Sequence, residues 1–202
     1  LADYNDNAIN TSIFNTNKLE SVAGMFSNCM FLNSINLNNF DTSNIKNMSK
    51  FFQNCPGLRE LDVSKFKTNN VIDMSSMFEE CMSLESLDVS QFVTSNVIDM
   101  SSMFSGCSSL KTLDLSSINM SHVTSVSGML GSCTSLKVLD MSNIDFTSFG
   151  TPSIKMQMSN GGFAALESLI LDNVKLTGDL TNYFGGLSTV KTISLNNANT
   201  SN

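Results

Sequence analysis

The five cysteines of this chain, Cys29, Cys55, Cys81, Cys107 and Cys133, stand 26 residues apart at every step. A fixed period of that length marks a repeat array, and no other feature constrains the fold as tightly. The apolar residues keep the same frame. Three residues after each cysteine stand Leu32, Leu58, Leu84, Leu110 and Leu136, and six after it stand Ile35, Leu61, Leu87, Leu113 and Leu139. Eight after it stand Leu37, Val63, Val89, Leu115 and Met141, and eleven after it Phe40, Phe66, Phe92, Ile118 and Ile144. The middle of this stretch alternates with period two, as a half-buried strand does.

The second half of each repeat reads as helical. Between Thr94 and Cys107 the apolar positions are Val97, Met100, Met103, Phe104 and Cys107, whose spacings of three and four put them on one helical face. Ser95 or Asn96 stands where an N-cap would, and Asp99 falls in the first turn, where a helix dipole favours it. The same layout recurs from Asn44 to Cys55 and from Asn70 to Cys81. One repeat is thus expected to be a short strand, a turn and a short helix or 3₁₀ turn.

Such a unit has one apolar side that only a neighbouring copy can bury. Hydrogen-bonded strands stack about 4.7–4.9 Å apart, whereas packed helices need about 8–10 Å. The expected fold is an α/β repeat solenoid, with parallel strands on a concave face and short helices or 3₁₀ turns on a convex one. The curvature would be slighter if the convex segments were only 3₁₀ turns. The columns of Phe26, Phe52, Phe78 and Phe104 and of Met25, Met77, Met103 and Met129 are expected in the core.

The frame runs back through Phe14, Leu19, Val22, Met25 and Phe26. It runs forward, with slippage, to Leu166, Leu169 and Leu171 and then to Val190, Ile193 and Leu195. This predicts a single domain over 1–202, with regular repeats over 29–132, a longer one over 133–162 and divergent ones over 163–202. Residues 147–162, which include Gly150, Pro152, Gly161 and Gly162, are expected to bulge as a loop at a seam. The first repeat is incomplete at Leu1–Ala8, and only Asn196–Asn202 follow the last strand. Because arrays need polar end caps, a longer parent protein or an end packed on another chain is expected.

The charge balance narrows the partners. A net charge of −7 and a pI near 4.5 argue against nucleic acid or an anionic membrane, which need clustered Lys and Arg. No run of about 18 apolar residues is present to span a bilayer, so no membrane insertion is expected in this segment. Any leader or anchor is expected to lie outside it.

The strand signature Cys-x-x-Leu-x-x-Leu-x-Leu resembles the leucine-rich repeats. The fuller unit runs Leu87-Asp88-Val89-Ser90, Phe92, Thr94-Ser95-Asn96-Val97, then Asp99-Met100-Ser101-Ser102-Met103-Phe104-Ser105-Gly106-Cys107. It is similar to the BspA-like surface-protein repeats, related to the Treponema pallidum class of leucine-rich repeat. The resemblance covers roughly residues 9–195 and is most specific over 29–133. The Asn ladder of ordinary leucine-rich repeats is here filled by Phe40, Phe66, Phe92, Ile118 and Ile144, so hydrogen bonding in the loops must come from elsewhere. The column Thr16, Thr42, Thr68 and Thr94 is a candidate for it. The resemblance implies a secreted or anchored surface protein associated with adhesion and host contact.

Each candidate for chemistry has a plain structural counterpart. Neighbouring cysteines of the ladder would lie within disulfide reach, yet their inward apolar positions suit small buried thiols, and the expectation is a reduced, shielded structural ladder. No C-x₂-C pair points to zinc, and no metal or cofactor is expected. His122 is the only histidine, and it stands in the column of Asn44, Asn70 and Asn96 as a variant cap. An enzyme is not expected. Asn-x-Ser/Thr sequons at Asn10, Asn47, Asn119 and Asn199 are expected by chance in so Asn- and Ser-rich a chain. Ice binding through the Thr column is disfavoured by its place between an inward Phe and the cap.

The outward strand columns are the most informative. Asp62, Asp88, Asp114 and Asp140 each lie between two inward residues, with Ser64, Ser90, Ser116 and Ser142 in the next outward column. Carboxylates about 4.8 Å apart repel by roughly 0.9 kcal/mol in water, so the column is affordable. Two readings fit it: carboxylates bonded to neighbouring Ser or backbone, or a negative track for a cation or a basic partner. The expected ligand-binding residues are Glu60, Asp62, Asp88, Ser90, Asp114, Ser116 and Asp140. The function expected is a non-catalytic recognition module at the cell surface that binds a protein or glycan partner, basic or cation-bridged. The alternative is a structural protein with end-to-end self-association.

Overall fold

A computed structural model of the chain describes residues 8–11, 14–149, 163–177 and 187–201. Its strands are short and parallel. β1 (Ala8–Asn10) pairs with β2 (Ser34–Asn36), and β3 (Thr112–Asp114) opens a four-stranded sheet with β4 (Val138–Asp140), β5 (Ser168–Ile170) and β7 (Thr192–Ser194). β6 (Lys175–Thr177) pairs with β8 (Asn199–Ser201). Register follows the repeat frame: Ile9 faces Ile35, and Leu113 faces Leu139. Parallel strands with almost no helix, offset by one repeat, are compatible with a repeat solenoid.

The apolar columns form one continuous core. Leu32, Leu58, Leu84, Leu110 and Leu136 are buried, as are Leu37, Val63, Val89, Leu115 and Met141. Aromatic rings stack along it, Phe52 on Phe78 at 6.1 Å and Phe78 on Phe104 at 5.8 Å between centroids. Met25 departs from its column and is exposed.

The segments expected to be helical are not. Among the described residues the only helix is a 3₁₀ turn at Phe146–Phe149, outside the regular repeats. Two columns of left-handed residues explain this. Gly24, Lys50, Ser76, Ser102 and Gly128 have φ of 54–64°, and Asn28, Asn54, Glu80, Gly106 and Ser132 have φ of 56–75°. A residue at positive φ ends a right-handed helix, so two per repeat leave only isolated turns. Those turns close locally, Met77 N–H on Met74 O, and otherwise donate forward to the next repeat. Phe26 N–H bonds Phe51 O, Phe52 bonds Met77, Phe78 bonds Met103 and Phe104 bonds Met129, at 2.9–3.0 Å. Parallel bridges link Ser21, Asn47, Asp73, Asp99 and Ser125 in succession. Asp99 is therefore a ladder residue and not a first-turn helix acid.

The turn side is hydrogen-bonded from repeat to repeat, so it has no wider helix spacing to accommodate. The strand side is the interrupted one. No backbone hydrogen bond joins 60–62 or 86–88 to the repeats beside them, although Arg59 N–H reaches Asn33 O and Lys111 N–H reaches Glu85 O. The unpaired steps involve Phe66 or Phe92, whose rings stack with centroids 6.5 Å apart. Pairing resumes at β3 and β4, where Ile118 and Ile144 take that column.

The longer repeat keeps register despite its extra residues. Leu139 pairs with Leu169 and Leu169 with Ile193, so the sheet runs across the seam. Residues 150–162 of the expected loop lie outside the described residues.

Candidate functional site

The strand face is built by alternation: inward Leu87 and Val89 are buried while Ser86, Asp88 and Ser90 are exposed. Glu60, Asp62, Asp88 and Asp114 are exposed, Ser116 is half-buried, and Asp140 is half-buried beside a buried Ser142. The structure thus brings Asp62, Asp88 and Asp114 into one accessible column. β5 ends it, since Ile170 is the register partner of Asp140.

Each aspartate is held by the chain itself. The backbone N–H of Ser64 donates to Asp62 Oδ1 at 2.9 Å, that of Ser90 to Asp88 at 2.8 Å and that of Ser116 to Asp114 at 2.8 Å. Ser142 gives Asp140 both its N–H and its hydroxyl, at 2.9 and 2.6 Å. These are Asx turns, in which a short carboxylate closes on the backbone two residues on. The Ser64 and Ser90 hydrogen bonds hold the carboxyls of Asp62 and Asp88 below the usual carboxylate range. The Asx turns therefore fix the carboxylates in direction. The carboxylates are bonded to the neighbouring serines, as the first of the two readings expects, and those of Asp62, Asp88 and Asp114 remain exposed.

The flanking column is mixed in sign. Arg59, Glu85, Lys111 and Lys137 succeed one another, and Lys111 pairs with Glu85. Further exposed pairs join Lys46 to Glu20 and Lys191 to Glu167, each at 2.8 Å. Glu20, Glu85 and Glu167 are lowered chiefly by the hydrogen bond from the paired lysine.

The cysteines make no bridge. The thiols of Cys55, Cys81, Cys107 and Cys133 donate to the carbonyls of Phe26, Phe52, Phe78 and Phe104 at 3.1–3.2 Å. Burial pushes Cys55 up to about 11 and Cys133 up to about 12, and raises Cys81 and Cys107 as well. Cys29 is only half-buried. Among the described residues no group of three or more His, Cys, Asp or Glu is placed to hold a metal ion. No described helix is long and apolar enough to cross a membrane.

Three of the four threonines of the column, Thr42, Thr68 and Thr94, carry loop hydrogen bonding, whereas the buried hydroxyl of Thr16 has no hydrogen-bond partner among the described residues. Thr68 Oγ1 donates to Val93 O at 3.0 Å and accepts from Val93 N–H at 2.7 Å, and Thr42 and Thr94 do the same to Lys67 and Asn119. These threonines are buried, which removes them as an ice-binding surface. Asn44, Asn70 and Asn96 cap no helix. Their side-chain amides donate to the carbonyls of Asn17, Ser43 and Asn69 in the preceding repeat, at 2.6–2.8 Å. His122, in the same column, is exposed beside Ser121.

Two features escaped the sequence reading. The left-handed columns were signalled by Gly24, Gly106, Gly128, Asn28 and Asn54 recurring in frame. An exposed apolar cluster at Met30, Phe31 and Met82 was signalled by Phe31, whose column otherwise holds Gly57 and Ser83.

No curated protein matches the chain. One family model does, twice and with overlap, over residues 3–66 and 57–158, the stretch that holds the in-frame repeats. The chain belongs to the family described as "Mycoplasma protein of unknown function, DUF285".

Proposed function

We propose that this chain is a leucine-rich-repeat-like solenoid of BspA-like type that serves as a non-catalytic recognition module at a cell surface. Its exposed aspartate column would take a basic or cation-bridged protein or glycan partner. Membership of a family associated with BspA-like surface repeat proteins supports the setting. The observation that carries the reading is the set Asp62, Asp88 and Asp114, exposed at the same position of successive repeats and aimed by Asx turns. A prefixed row of charges binds with little loss of side-chain freedom.

The test is the double variant Asp88→Asn/Asp114→Asn. Asparagine keeps the Oδ1 acceptor of each turn, so stability should stay level or rise slightly as repulsion is removed. Binding to a partner recovered by pull-down from extracellular material should weaken and lose its salt dependence, which in the parent sets in as the Debye length falls below about 8 Å near 0.15 M. Undiminished binding by the double variant would remove the aspartate column as the site.

A further inference from the structure

A second surface lies at the corner between the turn side and the strand face. Met30 is 48% exposed, Phe31 80% and Met82 41%, while half-buried Pro56 stands between Met30 and Met82 in the repeat frame. Met30, Pro56 and Met82 hold the same position in three successive repeats, and the repeats pack closely there. Gly57 sits so close to the first repeat that a Cβ there would stand 3.1 Å from Leu32 O and 3.5 Å from Met30 O. Ser108 Oγ, which follows Met82 in frame, donates to Met82 O at 3.4 Å.

Phe31 cannot be covered by its own array, because the next two residues in its column are Gly57 and Ser83. Phe31, at 80%, is the most exposed of the large apolar residues, and an aromatic ring left bare in line with two methionines is the composition of a contact surface. Methionine adds an adaptable, polarisable rim to the ring.

The border of this stripe selects the occupant. On the turn side run Glu79 and Glu80, and the Glu80 carboxylate lies across Gly106 with no cation paired to it. On the strand side Glu85 is offset by Lys111 and Arg59. The surroundings are therefore net acidic, as is the chain. Two copies meeting through the stripe would oppose acid to acid, and an anionic lipid surface would be repelled. A partner with apolar anchors and positive charge meets both demands.

We propose that the stripe Met30–Phe31–Pro56–Met82 docks a peptide segment that carries apolar anchor side chains flanked by lysine or arginine. It is a surface separate from the aspartate column and does not depend on it.

The probe is a fluorescently labelled amphipathic peptide of leucine and lysine, with a leucine–glutamate peptide as its counterpart, read by anisotropy. The lysine peptide should bind the 202-residue chain and the glutamate peptide should not. Phe31→Ser/Met82→Ser, which touches only exposed side chains, should weaken binding at least about tenfold, as loss of an aromatic anchor does. Glu79→Gln/Glu80→Gln should weaken it and flatten its salt dependence, while Asp88→Asn/Asp114→Asn should leave it unchanged. Equal binding by Phe31→Ser/Met82→Ser overturns the proposal. So does a loss seen only with Asp88→Asn/Asp114→Asn, which would place the peptide on the aspartate column. A parent that self-associates, or that binds phosphatidylcholine vesicles, and ceases to do so in Phe31→Ser/Met82→Ser would give the stripe another occupant and overturns it too.

Discussion

Each buried thiol holds its proton between its own sulfur and a phenylalanine carbonyl of the repeat before it, and that arrangement fixes its reactivity. The thiolate is the reactive form, and burial disfavours it. Cys55, Cys81, Cys107 and Cys133 should resist iodoacetamide in the native protein, whereas half-buried Cys29 should be the first and only one labelled. Full labelling should follow denaturation, and mass spectrometry of partly labelled protein would read both results. Position in the sequence argued for five shielded thiols. The exception arises because shielding comes from the neighbouring repeat, and Cys29 belongs to the first cysteine-bearing one. The threonines make a sharper case. Thr68 both gives and takes a hydrogen bond at Val93, so Thr68→Val keeps the shape but orphans a backbone N–H and a C=O. Chemical denaturation should show a loss of about 1–3 kcal/mol. A loss no larger than that of an exposed Thr134→Val control would mean that water replaces the hydroxyl.

At the scale of the element, backbone conformation decided what apolar spacing could not. The spacing of Val97, Met100, Met103 and Phe104 fits a helix face, yet it equally fits a chain that turns twice while facing one core. The deciding residues are Ser102 and Gly106, both at positive φ. Serine carries no strong signal for that conformation, so only the glycines and asparagines elsewhere in the two columns made it legible. Ser76→Gly should raise stability by up to about 1 kcal/mol, since glycine reaches the left-handed region without the side-chain penalty. Gly106→Ala should lower it by about 1–2 kcal/mol, from φ and from a Cβ placed 2.6 Å from the Glu80 carboxyl carbon. Thermal melts of the two variants should move in opposite directions. The strand face offers a second test. If the Phe66–Phe92 stack holds the backbone apart, Phe66→Ile/Phe92→Ile should let the strands close, as they do beside Ile118 and Ile144. Hydrogen exchange at the amides of residues 60–62 and 86–88 should then slow, even though the smaller side chains lower global stability. Exchange at the amides of Phe52 and Phe78, already bonded across repeats, should not slow with them.

For the whole molecule, pH dependence follows from groups held in one protonation state. The thiols have raised pKa values when folded, so their contribution is fully present below the unfolded thiol value near 9.0. It is lost as pH rises toward about 11 for Cys55 and about 12 for Cys133. Asp62 and Asp88 are depressed, so theirs is present above the ordinary aspartate value of 3.8 and is lost as pH falls further. Stability should therefore be level between these limits and fall on both sides. Cys55→Ala/Cys133→Ala should flatten the alkaline limb and leave the acid one unchanged. The repeat frame was legible in the sequence, and with it most of the core, the register of the paired strands and the thiol and threonine ladders apart from their first members, Cys29 and Thr16. The conformation of the turn segments was not, because positive φ at Lys50, Ser76, Glu80 and Ser102 leaves no mark in apolar periodicity. The inter-repeat bonds carry one consequence beyond the folded state. Each joins a residue to its counterpart one repeat away, or to a neighbour of that counterpart. A gene that gains or loses one whole repeat by unequal recombination within 29–132 would thus encode a chain in which every such bond still finds a partner. Length within 29–132 would then be free to change in steps of one repeat, whereas offsets of another size, such as that from Leu139 to Leu169, occur only beyond that stretch.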